Sequence, residues 1–367
     1  MSVGYEEMLS RVAEHLIDPM MLTDADQVIV YQNEIMRDTF GDLTGKPLAF
    51  LLGTEAEKIE SWIRTPGRSG SWLCTETILA DVTYRLHAMR LDADQERQFS
   101  AILLRDITEQ KVVEDGLATN LQKIRRETAI AKQIQKSILP IDDEYWNSMR
   151  LSSLYLPADD LGGDVFDIIQ LSEDETLLYI ADVAGHGIQA SLLTVFIREK
   201  IRAEGKLALG GLEKLIAELL NGFLALDIDA ILYFSILFCK YNRAKSELSI
   251  ANAGHNCYPL VIREGGRVEE VPVRGMPISK ISDLADYEEE IIGIKSGDRL
   301  ILYTDGVIEE YSSTEKRMFG AEGVRQTAGA YYKFGGQQLA QKIISEANKY
   351  TLGGAKDDRA IIIAEIL

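Results

Sequence analysis

Cysteine is scarce in this chain of 367 residues. There are three, Cys74, Cys239 and Cys257, and they are scattered without the spacing of a metal knuckle or a redox pair. Long apolar runs are also missing: nothing approaches the roughly eighteen residues that mark a membrane-crossing helix. Basic residues are outnumbered, 39 Lys and Arg against 58 Asp and Glu, and the formal net charge is -19. Nucleic acid and anionic membrane would be repelled by such a surface and are excluded as main partners. The acidic N-terminus carries no signal-peptide pattern, so the expectation is a reduced, cytoplasmic, soluble protein. What is plentiful is core material, since 46% of the residues are hydrophobic, over a length that predicts two or three domains.

The most informative stretch is ADVAGHGIQASLL, residues 181–193. Thr176 to Ala181 is an apolar run of strand formers, and Gly185 and Gly187 permit a turn that bulkier residues would strain. From Ile188 to Glu204 apolar residues recur at helical spacing, at Leu192, Val195, Phe196 and Ile201. Asp182 is thereby delivered to the end of a strand and the mouth of a helix. A carboxylate presented there among backbone carbonyls suits a hard cation such as Mg²⁺ or Mn²⁺. A lone Asp before a glycine is more often a simple turn former; its company decides.

Residues 1–107 read as a separate sensory module. Met8 to Leu16 predicts a leading helix, residues 20–33 a hairpin around an Asp-x-Asp turn, and Ser71–Leu79, Tyr84–Leu91 and Phe99–Leu104 further strands. The hairpin leading to Asn33, the GKPLAFLL segment at 45–52 and the closing strand running into RDITEQK at 105–111 resemble a PAS domain. That resemblance implies a mixed α/β fold with an antiparallel sheet, sensing a ligand or an activator the sequence does not identify. His15 and His87 raise the thought of haem, but single histidines on such segments are more often surface or core residues.

Residues 108–139 change character. Thr108 or Asp106 can cap a helix in which Val113, Leu117, Leu121, Ile124, Ala131, Ile134 and Ile138 fall at spacings of three, four or seven among charged residues, until Pro140 stops it. The pattern predicts a coiled-coil signalling helix, with Leu117, Leu121, Ile124, Ile134 and Ile138 on the face that pairs with its twin in a parallel homodimer.

Residues 140–367 read as one catalytic domain. LSSLYLPADDLGGDVFDIIQL at 151–171 gives strand, polar loop, a Gly162-Gly163 turn and a second strand. SEDE at 172–175 makes a hairpin into the strand ending at Asp182, so Asp164 and Asp182 can meet across adjacent strands. Helices at 188–204 and 211–226 and later strand pairs predict a layered α+β sandwich of antiparallel sheets. Asp164 follows a double glycine, Asp182 and Asp305 end apolar strands and soon meet a glycine, and Asp357 precedes the last apolar strand. Four carboxylates so placed, without His or Cys at ligand spacing, describe a hard-cation site rather than a zinc site. Two cations sharing one carboxylate would activate a water for in-line attack on phosphorus, the two-metal logic of phosphatases.

The ordered set AKQIQKSILP (131–140), PADDLGGDVFD (157–167), DVAGHG (182–187), NAGHN (252–256), GMPIS (275–279), GDRLILYTDG (297–306) and KDD (356–358) resembles the PPM family of metal-dependent serine/threonine phosphatases, in its bacterial branch that controls sigma factors. The resemblance implies an αββα sandwich and two Mn²⁺ or Mg²⁺ ions. Asp182 would bridge them with help from the Val183 carbonyl, Asp305 and Asp357 would bind the first, and Asp164 would orient the water shell of the second. Asp182 and Asp305 would carry the chemistry. It further implies a phosphorylated STAS-domain substrate, an anti-sigma factor antagonist, and helices after Asp182 that complete the site when the regulatory half moves them. Arg359 and Ala360 stand where a hydrophobic residue and a threonine are usual, Val165 replaces an aromatic and Ala184 a serine; none of these removes an expected ligand. His186 and His255 read as packing and hydrogen-bonding residues rather than proton carriers. GGDVF at 162–166 also resembles the signature of diguanylate cyclases, which needs an acid where Val165 stands, and a third reading is a phosphatase-shaped interaction module without activity.

Overall fold

The computed structural model describes residues 13–63, 72–94, 97–185, 187–229, 231–281, 287–312, 317–350 and 357–367. Most of the leading helix expected from Met8 lies outside them, as do His186 and Lys356. The chain divides into two compact units, Met1–Ile124 and Arg125–Leu367, and the division falls within one long helix, Thr108–Ile138.

In the N-terminal unit β1 (Met20–Thr23), β2 (Ile29–Gln32), β3 (Trp72–Leu79), β4 (Val82–Asp94) and β5 (Arg97–Asp106) form an antiparallel sheet in the order β2-β1-β5-β4-β3. Short helices, Glu34–Phe40, Ala49–Leu52 and Glu55–Ile63, connect β2 to β3 and close over one face, burying Met21, Ile29, Met36, Leu48, Ile59, Leu86 and Ile102. Asn33 is the local organiser. Its side-chain oxygen caps the first helix at Met36 N and also accepts from Met20 N, while its amide donates to the carbonyls of Ala13 and Asp18. His87 is half-buried, its ring edge-on to Trp72.

The Thr108–Ile138 helix starts as its sequence dictates: Asp106 Oδ1 accepts the Thr108 N–H, and the Thr108 hydroxyl accepts from Thr83 N. Along it Leu117, Leu121, Ile124 and Ile134 are all exposed, whereas Ile138 is half-buried.

The C-terminal unit is a four-layer α+β sandwich. One sheet runs β15 (Glu289–Gly293), β11 (Glu247–Ala253), β10 (Tyr233–Asn242), β9 (Glu175–Val183) and β8 (Asp164–Gln170), with β14 (Ile278–Ser279) pairing β10. The other runs β13 (Val268–Glu270), β12 (Leu260–Ile262), β16 (Arg299–Tyr303), β19 (Arg359–Ile366), β7 (Met149–Leu156) and β6 (Glu144–Tyr145), and β17 (Tyr311–Ser312) and β18 (Arg317–Met318) make a separate ribbon. Helices Ile188–Glu204 and Leu212–Leu224 pack on the first sheet, and Gly320–Ala330 and Gly336–Ala347 on the second.

Strand alternation decides where the site lies. In β9, Leu177, Tyr179, Ala181 and Val183 pack towards the helices, whereas Leu178 and Ile180 pack between the two sheets. Each such buried aliphatic side chain stabilises the fold by about 1.5–3 kcal/mol, so the register is strongly held. Asp182 continues the inward series, and Asp164, in phase with Phe166 and Ile168, does the same on β8. Both carboxylates are thus carried to one end of the space between the sheets.

Candidate cation site

Asp164 and Asp182 are direct register partners of the antiparallel β8–β9 pair. β16 ends at Tyr303, and after Thr304 a single 3-10 turn, Asp305–Val307, begins with Asp305. β19, the neighbour of β16, starts at Arg359, just after Asp357 and Asp358. Four strand ends therefore deliver five aspartates to one region: Asp182 and Asp305 end or follow apolar strands, and Asp357 precedes one, as the sequence predicted.

The electrostatics show that they interact. Asp164 is buried and its pKa is raised well above the usual range, first by burial and then by the charges of Asp182 and Asp358. Asp182 is pushed up to about 8 by burial, then by Asp305, Asp357, Asp358 and Glu309. Glu309 is raised in turn by burial, Asp305 and Asp357. Among the described residues no three His, Cys, Asp or Glu side chains converge on one point at metal-ligating distance. The donor set is all oxygen and mutually repelling. A divalent cation relieves that repulsion, so the residues present fit a hard cation such as Mg²⁺ or Mn²⁺.

Several neighbours that the sequence did not single out hold the carboxylates in place. The Thr304 hydroxyl donates to Asp164 Oδ2 at 2.8 Å and accepts from Ala360 N at 2.9 Å, joining the two sheets at the site. Asp358 is buried and accepts from Ala158 N at 2.7 Å through Oδ1 and from Gly163 N through Oδ2, strapping the loop that leads into Asp164. Gln135 is buried and clamps Gly162 from both sides, donating to its carbonyl at 2.6 Å and accepting from its N–H at 3.2 Å. Asn256 donates to Asp305 Oδ2 at 3.1 Å.

The glycines have two different roles. Gly185 and Gly187, with φ of 99° and 84°, make the expected left-handed turn after Asp182. Gly162 and Gly163 are not in that region; the reason at Gly163 is proximity. A Cβ there would stand 2.8 Å from the Val183 carbonyl oxygen, 3.2 Å from that of Gly185 and 3.5 Å from the Ala190 side chain. The Val183 carbonyl is accordingly packed against the strand that bears Asp164.

His255 is fully enclosed and neutral, its pKa lowered by burial. Its Nε2 lies 3.0 Å from the Tyr303 carbonyl oxygen, which only accepts, so Nε2 carries the proton and Nδ1 accepts from the Ser235 hydroxyl at 3.1 Å. That is a bracing role, as its sequence setting implied. Cys257 is likewise buried beside the acids, its thiol pushed up first by burial and then by Asp305. Of the unusual positions, Arg359 donates to Asn348 Oδ1 at 2.6 Å and pairs with Glu310 at 3.6 Å, Ala360 is buried, and Val165 is buried towards the helices.

Comparison with known proteins agrees with this architecture. A family model described as Stage II sporulation protein E (SpoIIE) matches residues 172–367, a span that takes in Asp182, Asp305 and Asp357 and begins after Asp164. Phosphoserine phosphatase RsbU of Bacillus subtilis is 24% identical over 188 residues, which cover 51% of this chain and 55% of that protein. Phosphoserine phosphatase RsbP of the same organism is 27% identical over 195 residues, covering 52% of this chain and 47% of that protein. The chain thus spans about half the length of these curated relatives. The SiaA-PP2C domain of Pseudomonas aeruginosa superposes with a TM-score of 0.58 at 20% identity, covering 68% of this chain and 99% of that one. A Bacillus subtilis SpoIIE structure comprising the PP2C phosphatase domain and a regulatory fragment gives 0.50 at 14% identity, covering 85% of this chain and 87% of that one. These likenesses establish a PP2C-like α+β fold.

Proposed function

This chain belongs to the Stage II sporulation protein E (SpoIIE) family, and on that premise we propose that it is a metal-dependent phosphatase acting on phosphoserine or phosphothreonine in a protein. The observation that carries the reading is the pairing of Asp164 with Asp182 at the mouth of the sandwich, with Asp305 and Asp357 on neighbouring strand ends. The names of RsbU and RsbP support the phosphoserine specificity. Asp182, with the Val183 carbonyl, would hold two cations, Asp305 and Asp357 the first of them, and Asp164 the water shell of the second. Bound Mn²⁺ or Mg²⁺ supplies Lewis acidity and lowers the pKa of a coordinated water into the neutral range. The protein's own part is to hold these carboxylates together and oriented: Thr304 fixes Asp164, Asn256 fixes Asp305, and Asp358 fixes the loop before Asp164.

The regulatory half of the proposal rests on the other unit. The antiparallel order β2-β1-β5-β4-β3, with helices between β2 and β3, supports a PAS sensory domain over residues 1–107. The exposed Leu117, Leu121 and Ile124 support a linker over 108–139 that pairs with a second copy. The substrate proposed from the motif resemblance is a phosphorylated STAS-domain protein of a sigma-factor pathway. The test is release of phosphate by the full chain with Mn²⁺ from a serine-phosphorylated STAS protein, beside a serine-phosphorylated peptide of unrelated sequence. Release from the STAS protein that chelator abolishes supports the reading; release from neither, with turnover of GTP instead, replaces it with the cyclase.

A further inference from the structure

Asp167 is completely buried, yet it takes no part in the site described above. It sits on β8 beyond Asp164, opposite Tyr179, and its carboxylate meets the Ile188–Glu204 helix. Arg202 grips it with both prongs, Nε to Oδ2 at 2.6 Å and Nη2 to Oδ1 at 3.0 Å. Arg198, one helical turn earlier, brings its Nε within 3.3 Å of the same Oδ2 but forms no proper hydrogen bond through it. Exposure runs the opposite way: the Arg198 side chain is 14% exposed and that of Arg202 45%. Arg198 is held instead through Nη1, which donates to the exposed Glu199 at 2.5 Å, so the more deeply buried guanidinium has the poorer grip on Asp167 and a buried Nε without a hydrogen bond. The Tyr179 hydroxyl, buried beside the same groups, likewise has no hydrogen-bond partner.

Unpaired buried donors are costly, and two arginines competing for one carboxylate define two pairings of similar kind. In the second, Arg198 would take the fork and Arg202, already half in solvent, would release it. Both side chains already reach Asp167 Oδ2, Arg202 at 2.6 Å and Arg198 at 3.3 Å, so the exchange keeps the same carboxylate. The first turn of that helix touches the site, because Ala190 and the Val183 and Gly185 carbonyls are packed on Gly163, the residue before Asp164. The Val183–Gly187 loop leads straight from Asp182 into the same helix.

We propose that Asp167 is a positioning residue for the cation site: through whichever of Arg202 and Arg198 it holds, it sets the helix that buttresses Gly163 and the Asp182 loop, and with it the affinity for a divalent cation. This rests on the reading of the carboxylate cluster as a cation site. The experiment is calorimetric titration of Mn²⁺ into the full chain, as wild type, Arg202→Gln, Arg202→Lys and Arg198→Gln, with thermal unfolding of each recorded without metal. Arg202→Gln is expected to raise the Mn²⁺ dissociation constant about tenfold, within the ordinary range of coupling between neighbouring sites. Arg198→Gln, which keeps the observed grip, is expected to change it less than about twofold, and Arg202→Lys to recover part of the loss. An ion pair that only stabilises the fold would lower the unfolding temperature and leave the dissociation constant of the folded variants at the wild-type value; that result overturns the proposal. If Arg202→Gln does not fold, Arg202→Lys against Arg198→Gln makes the same comparison. A wild-type chain that binds no Mn²⁺ refutes the cation site itself, and the positioning role with it.

Discussion

Asp164 faces Asp182 across the β8–β9 ladder, both turned between the sheets, and Asp182 contributes to raising the pKa of its partner. In the metal-free protein burial and the neighbouring acids push the Asp182 carboxyl from the ordinary carboxylate range up to about 8. The folded state therefore binds a proton that the unfolded state has lost throughout that window, and stability falls as pH rises across it. Metal-free unfolding temperatures measured from pH 5 to 9 should decline more steeply in wild type than in Asp182→Asn and run parallel above about pH 8. Mn²⁺ binding should release more protons at pH 7 than at pH 9. A wild-type slope equal to that of the mutant would contradict the assignment.

Asp358 supplies a second expectation, in stability rather than chemistry. Replacing it with alanine leaves the N–H groups of Ala158 and Gly163 without their acceptor. Hydrogen bonds to a charged group are worth about 1.5–3 kcal/mol each, so Asp358→Ala should lose about 3 kcal/mol or more in denaturant unfolding, and Asp358→Asn less. Equal losses in the two variants would show that the paired acceptor is not what matters.

Thr304→Val keeps the shape of the side chain and removes the hydroxyl shared by Asp164 and the Ala360 N–H. Partners of this kind orient ligands, and losing one typically costs about 10–100-fold in metal affinity. Mn²⁺ titration of the valine variant should show such a loss with circular dichroism unchanged; unchanged affinity would count against the role of Asp164 at the cation site.

What could be read from the sequence and what could not follows from the range of the interactions. Asp164, Asp182 and Asp305 announced themselves because each meets an apolar strand and a glycine within a few residues, a local signal. The two sheets were legible in the alternation of apolar runs. Asp358 and Gly163 are 195 residues apart, and nothing near either marks their bond. Gln135 looked like one position in a helical motif, whereas its amide is spent on Gly162, 27 residues away. The double glycine read as a turn, but Gly163 is needed for close packing against the Val183 carbonyl, which only the fold creates. Asp167 closes the PADDLGGDVFD motif in the sequence, but only the fold places two arginines against it.

The exposed stripe of Leu117, Leu121 and Ile124 predicts association of the full chain. Light scattering at micromolar concentration should give twice the chain mass of 41.0 kDa, and Leu117→Glu with Leu121→Glu should shift it towards one chain. A clean monomer in the wild type would end the dimer proposal.

These aspartates are proposed to hold a cation site at which phosphoprotein is hydrolysed. The most direct measurement is Mn²⁺-dependent phosphate release from a serine-phosphorylated STAS protein by the full chain, run beside Asp182→Asn and Asp305→Asn. Turnover is expected in the wild type and a loss of about a hundredfold or more in both variants, with their folds intact by circular dichroism. Wild-type rates in both folded variants would contradict the proposal.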